Sequence, residues 1–396
     1  MIKALYITYD GLLDPLGQSQ ILPYFEHLTS KSINWSVLSF EKKNLARDKI
    51  SQATAQQLSR ANVKWFSLKY HRHPRFLSKI YDLIMGIFVI LKQKKSYDLI
   101  LARSYIAAII GLILKKIYHC KFIFDMRGLW PEEKVDGNGW KKNGFFFKIA
   151  KLLERKFITN ADIIVVLTEK AKLELLKKYN ISSPIKIIPT CVDMKKFSNH
   201  SKKDTQYDYL FCYSGSVGTW YCLDEMVNFI KFLRSNHMNA NLLLLLNADV
   251  SGNTYRHPFS HLDFIKVETC PYSEVPLYLQ KAQFGLYFIR PTYSKLASCP
   301  TKLGEFLSMG IPVITNKGIG DCDDWFKKNS LGVLVDDFTQ ASFAKTHLAL
   351  KNIMNDNKIR ERCIKFALEN LSLQSGIFKY RSIIQDLFHT VNIYNG

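Results

Sequence analysis

Acidic residues are scarce in the first half of this chain. Residues 1–200 hold 34 Lys and Arg against 16 Asp and Glu, a net +18, while residues 201–396 hold 21 against 18. A one-sided basic field excludes a cationic partner and suits an anionic one, either nucleic acid or an acidic lipid surface. Paired cysteines are missing as well. The eight cysteines stand singly at 120, 191, 212, 222, 270, 299, 322 and 363, with no Cys-x-x-Cys, so reduced thiols are expected rather than a zinc site. No apolar run reaches the roughly 18 residues of a membrane span. Met1–Thr8 reads as a first strand rather than a leader peptide. There is no internal repeat and no low-complexity tract. The +18 half has no recognised nucleic-acid motif and no aromatic platform, so no nucleic-acid partner is expected.

What is present is a long alternation of short apolar runs with helical patterns. At 396 residues, 47% of them hydrophobic, the chain has material for two cores. Strands are expected at Ile2–Thr8, Trp35–Phe40, Val63–Leu68, Asp98–Ala102, Lys121–Asp125, Asp162–Leu167 and Ile185–Ile188. After a polar stretch at Asp193–Asp208 they resume at Tyr209–Tyr213, Asn241–Leu246, Phe264–Glu268, Phe284–Phe288, Ile311–Thr315 and Leu331–Val335. Helical patterns fall between them, including Gln18–Ser30, Leu77–Leu91, Phe146–Thr159, Ser273–Lys281 and Thr301–Met309. Such alternation predicts an α/β protein with two Rossmann-like, doubly wound parallel sheets, which place ligands at the carboxyl ends of the strands. The expected domains are 1–200 and 201–375, with residues 376–396 as a last helix.

Strand ends therefore supply the candidates. Gly17 follows the first strand and opens a helix. Asp125-Met126-Arg127 follows the apolar Phe122-Ile123-Phe124, and charges there are hard to place in a core. Gly215-Ser216-Val217-Gly218 opens the second half. It is not a dinucleotide fingerprint, but its glycines let backbone amides approach a diphosphate. Arg290 and Lys295 follow the Phe284–Phe288 strand and bring positive charge. Thr301-Lys302 begins a short helix, where the dipole favours an anion, and Glu305 stands one turn on, suited to a sugar diol. The bland readings are a tight turn at the glycines and an Asp125–Arg127 pair that pins its loop. Asp321-Cys322-Asp323-Asp324 contains Asp-x-Asp, read as helix capping rather than a metal site, and His71-Arg72-His73 reads as a solvated face. Two apolar segments with lysine flanks, Ile80–Leu91 and Ile106–Leu114, read as core helices or as a membrane-facing surface with a basic rim. The loop around Lys69, Arg72, Arg75 and Lys79 adds charge nearby.

The run Glu305-Phe306-Leu307-Ser308-Met309-Gly310-Ile311-Pro312-Val313 resembles the donor-binding helix of family 4 retaining glycosyltransferases, which have the GT-B fold. Ile188-Pro189-Thr190-Cys191-Val192-Asp193, with Phe197, is similar to the hinge of that family. An earlier glutamate of the family pattern is Ala297 here, and its Arg/Lys pair after the Gly215 loop is absent. The Pro300-Thr301-Lys302 variant resembles a branch used in bacterial surface-polysaccharide assembly. The resemblance implies a retaining, metal-independent hexosyltransferase with no cofactor. Its donor would be a nucleoside-diphosphate sugar, and its acceptor a lipid-linked or soluble glycan. The expected location is the cytoplasmic face of an anionic cell membrane, approached through the basic half. It further implies Asp125, Arg127 and Glu305 as catalytic, and Gly17, Gly215, Ser216, Gly218, Arg290, Lys295, Thr301, Lys302 and Glu305 on the donor. Two alternatives share the layout: a sugar-nucleotide epimerase and a non-catalytic partner subunit.

Overall fold

The computed structural model describes residues 1–30, 32–42, 48–74, 77–198, 209–216, 218, 220–247, 259 and 261–388. Arg75 of the basic loop, the polar residues 199–208 and the end of the expected last helix, 389–396, lie outside these. The chain forms two compact units. The first takes Met1–Pro189 and the chain from Gly376 on; the second takes Thr190–Ser375.

In the first unit the strands are β1 (Ile2–Thr8), β2 (Ile33–Glu41), β3 (Lys64–Lys69), β4 (Leu99–Arg103), β5 (Lys121–Asp125), β6 (Ile163–Val166) and β7 (Ile185–Ile187). They form one seven-stranded sheet in the order β3-β2-β1-β4-β5-β6-β7, parallel throughout. β4 is buried along its whole length, and β5 everywhere but Lys121. Such two-sided burial produces continuous apolar runs rather than alternation. The strand order reverses between β1 and β4, which opens a crevice at their carboxyl ends. The register sets Arg103 beside Thr8 on one side and beside Asp125 on the other.

The second unit repeats the plan with β8 (Tyr209–Gly215), β9 (Ala240–Asn247), β10 (Ile265–Cys270), β11 (Phe284–Leu286), β12 (Val313–Asn316) and β13 (Gly332–Val335). Their order is β10-β9-β8-β11-β12-β13, again parallel. Here the switch point lies between β8 and β11. The α/β, doubly wound expectation holds in both units.

Two expected helices are each broken in two. Gln18–Ser30 is a pair, Pro15–Gln20 and Leu22–Leu28, because Pro23 is tolerated in the first turn of the second but cannot extend the first. Ser273–Lys281 becomes a 3₁₀ turn, Tyr272–Glu274, and a helix, Val275–Leu279, with Pro276 at the join. The boundary between the units falls before residue 200. Thr190 donates to the Cys299 carbonyl at 2.7 Å, and Val192 bridges to Ser372, so the chain joins the second unit from Thr190. The last helix, Leu373–Phe388, returns to the first unit. There Tyr380 packs edge-on against Tyr24, and Arg381 donates to the His27 carbonyl.

Candidate functional site

In the second unit the helix Thr301–Ser308 is buried from Lys302 onward. Pro300 stands just before it as the capping residue rather than at its first helical position, and its side chain forms no cap. Gly310 ends the turn with φ +69, and a Cβ there would lie 2.5 Å from Arg360 Cγ, so only glycine fits.

Lys302 is 5% exposed, and its Nζ has no hydrogen-bond partner among the described residues. It is surrounded instead by rings: the ammonium lies 3.5 Å from the Tyr221 centroid, 3.9 Å from Tyr213 and 5.9 Å from Tyr287. These faces attract a cation, but they do not replace water as hydrogen-bond acceptors. Burial therefore holds the amine well below its ordinary range, although Glu305 and Cys212 oppose this. Glu305, three residues on, is also 5% exposed. Burial raises its carboxyl to about 7, against the Tyr272 hydroxyl, which donates to Oε1 at 3.0 Å, and against Lys302. Tyr272 is in turn backed by Phe197 of the linking segment, ring centroids 5.7 Å apart.

The Gly215 loop meets this pair directly. Gly215 has φ +141, and a Cβ there would lie 2.9 Å from Lys302 Nζ. The glycine thus gives the ammonium access to the strand end. Tyr213 donates through its hydroxyl to the exposed Ser216 carbonyl at 2.6 Å, fixing the loop. At Gly218 a Cβ would meet nothing within 4 Å, so the fold makes no steric demand for glycine there. Gly218→Ala is accordingly expected to leave the melting temperature unchanged, as read by thermal denaturation.

The loop after β11 is tied to the same place. The Arg290 N–H donates to the Trp220 carbonyl at 2.9 Å, and Lys295 Nζ lies 3.7 Å over the Trp220 ring. Asn316 holds Ile289 through both its backbone groups, at 2.8 and 2.9 Å. Arg290 is exposed, Lys295 buried and Thr301 half-buried. In the acidic segment, Asp321 occupies the capping position of the Cys322–Asn329 helix, but its side chain forms no cap bond. Asp323 instead accepts from the Gly318 N–H at 3.1 and 3.3 Å. Among the described residues no three His, Cys, Asp or Glu side chains stand together as a metal site.

The first unit brings a second set together at the ends of β4 and β5. Asp125 is fully buried. Its Oδ2 is 3.7 Å from Arg103 and accepts from the Tyr380 hydroxyl at 3.0 Å; its Oδ1 is 3.7 Å from Arg127. Two guanidiniums share one carboxylate, leaving one positive charge in surplus. Burial pulls the Arg127 guanidinium down, but Asp125 and three nearby tyrosines more than offset this. Arg127 has a left-handed backbone, φ +59, uncommon outside glycine. With no exposed surface, Asp125 positions the two arginines rather than meeting a substrate. Gly17 lies in this unit, inside the first short helix. A Cβ there would come within 2.6 Å of the Leu12 backbone, so packing alone demands glycine.

The structure therefore groups Gly215, Ser216, Gly218, Arg290, Lys295, Thr301, Lys302 and Glu305 in one unit, and Asp125, Arg127 and Gly17 in the other. Sequence reasoning does not single out Tyr213, Tyr221, Tyr272, Tyr287, Arg103 or Tyr380. Only Arg103 left a usable signal, a charge closing the apolar run Leu99–Ala102.

Residues 27–196 match the model of Glycosyltransferase Family 4. A stretch of 128 residues is 28% identical to Glucosyltransferase 3 of Streptococcus parasanguinis, covering 32% of this chain and 37% of that one. The match thus spans little more than a third of that relative's length. Sucrose-phosphate synthase from Thermosynechococcus elongatus has the same fold, with a TM-score of 0.74 at 13% identity over 99% of this chain and all of that one. So does Anabaena HepE in complex with UDP and glucose, with a TM-score of 0.69 at 10% identity over 99% of this chain and all of that one.

Proposed function

We propose, for a chain that is GT-B in fold and a family 4-like glycosyltransferase by its first half, that it moves a sugar from a nucleoside diphosphate to a hydroxyl of a lipid-linked glycan. The anomeric configuration is retained, and the product serves cell-surface polysaccharide synthesis at an anionic membrane. One observation carries the donor half of this reading: a buried lysine amine without hydrogen-bond partners among the described residues faces a glycine strand end, with a buried carboxyl group one turn away. HepE, of the same fold, is recorded with UDP and glucose, which supports a nucleotide sugar as donor.

The chemistry follows from the residues. A diphosphate at Gly215–Ser216 accepts hydrogen bonds from the loop amides and from Lys302. Its negative charge restores the protonated amine that burial disfavours. Glu305 accepts from the ribose hydroxyls. As the sugar–phosphate bond breaks, C1 becomes oxocarbenium-like and charge collects on the departing oxygen, where Lys302, Lys295 and Arg290 stabilise it by several kcal/mol in a dry site. The acceptor hydroxyl attacks C1 and its proton passes to the leaving phosphate. In the first unit, Arg127 and Arg103 hold and orient an anionic group of the acceptor, and Asp125 fixes both. The cations lie on the chain itself, so no metal takes part.

The test is incubation with UDP-, GDP-, ADP- and CMP-linked sugars, with and without a lipid-linked glycan, followed by NMR of the product. An α-linked glycan formed only when acceptor is present, and equally in EDTA, is the expected result. Conversion of the sugar nucleotide without acceptor indicates the epimerase, and no turnover of any donor the non-catalytic subunit.

A further inference from the structure

The helix Leu77–Lys92 is built inside out. Its buried positions are Ser78, Asp82, Gly86 and Ile90, four residues apart and so on one stripe. Ser78, Asp82 and Gly86 of that inward stripe are small or polar, and Ile90 at its end is its one large apolar residue. Asp82 accepts from the Tyr9 hydroxyl at 2.8 Å and lies 2.6 Å from His71 Nδ1, so His71 is tied inward rather than solvated. Gly86 lies against Phe40 and Ile110, where a Cβ would come within 2.9–3.1 Å. The outward stripe is apolar: Ile80, Tyr81, Ile84, Phe88 and Leu91 are all exposed, Ile84 by 59%. A surface helix of a water-facing protein has the opposite arrangement.

The patch continues across its neighbours. Leu77–Lys92 packs on the helix Ser104–Tyr118, which packs on Phe145–Asn160. The middle helix exposes Ile113 and Ile117, and the third exposes Phe145, by 73%, with Phe146, Ile149 and Leu152. On the first and third helices the exposed charged residues are Lys92, Lys148, Arg155 and Lys156, all basic, whereas the acids Asp82 and Glu154 are buried. Trp140 stacks on Phe146 beside the exposed Lys141 and Lys142. Aromatic and aliphatic side chains edged by lysines match a bilayer surface, where rings enter the headgroup region and amines meet lipid phosphates. No described helix is long and apolar enough to cross a membrane. A second copy of the chain would set this lysine edge against itself, which like-charge repulsion disfavours.

We infer that the outer face of these three helices is the docking surface for an anionic lipid bilayer. The inference deepens the proposed function by giving the carrier of the lipid-linked acceptor a place, and rests on it only there.

The test is co-sedimentation of the full chain with vesicles of phosphatidylcholine alone, or of phosphatidylcholine with phosphatidylglycerol. The variants are Ile84→Glu/Phe88→Glu, Phe145→Glu/Phe146→Glu, and Leu348→Glu at an exposed site of the second unit. Wild type and Leu348→Glu are expected to partition onto the anionic vesicles and to weaken in high salt. Each double variant should lose at least about tenfold at an unchanged melting temperature. The thermal shift given by nucleotide should be the same in all. Equal binding to both vesicle types, full binding by the double variants, or a wild-type dimer that the double variants dissociate would each overturn the inference. Loss of vesicle binding in a protein that no nucleotide shifts would leave this surface standing and remove the transfer reading instead.

Discussion

Glu305→Gln is expected to abolish sugar transfer while making the protein more stable at pH 8. Burial lifts this carboxyl to about 7, with Tyr272 and Lys302 only partly countering it. A folded-state value above the unfolded one means that the native chain keeps a proton the unfolded chain has lost. Stability therefore falls as pH rises from the ordinary carboxylate range to about 7, and the full cost stands above that. A rise of this size corresponds to on the order of 3 kcal/mol. Glutamine removes the charge and with it the cost. The variant should exceed wild type in denaturant midpoint at pH 8 and match it near pH 4. It should bind and turn over donor at least a hundredfold less well, since a neutral amide is a weaker acceptor for the ribose pair. Lys302→Ala is expected to lose donor turnover in the same way with the fold intact. It should also lose the proton taken up when diphosphate binds, detectable by calorimetry in buffers of different ionisation enthalpy. Near wild-type turnover in both variants would remove this site from the reaction.

Asp125→Ala should do the reverse in the first unit and cost stability. It leaves the guanidiniums of Arg103 and Arg127 without their shared carboxylate, and the Tyr380 hydroxyl without its acceptor. Removing one partner of a buried charged cluster costs about 3–5 kcal/mol. Arg127→Leu relieves the surplus charge instead, so it should stay folded and yet lose transfer. A denaturant midpoint for Asp125→Ala equal to wild type would show that the carboxylate holds nothing in place. An active Arg127→Leu would remove that side chain from the acceptor site.

The central strands were legible because parallel strands covered on both faces read as unbroken apolar runs; β4 and β5 are the plainest cases. The Thr301–Ser308 helix was legible to within one residue, as Thr301–Met309, and with it the places of Lys302 and Glu305. The helix Asp48–Arg60 was not, because its low apolar content gives periodicity little to work on. The tyrosines around Lys302 could not be read at all. Tyr213 lies within β8, Tyr221 just before the helix Leu223–Ser235 and Tyr287 just after β11, so no local spacing joins them. Tyr380 lies 255 residues from the aspartate it bonds, and only the return of the last helix brings them together.

That return bears on how the protein is made. The hydroxyl that anchors Asp125 lies 255 residues further along the chain, so it is synthesised long after the sheet whose aspartate it bonds. Asp125 must wait for its hydroxyl partner while the whole of the second unit is synthesised. A nascent chain stalled short of Tyr380 would therefore hold the second unit finished and the first still lacking that hydroxyl.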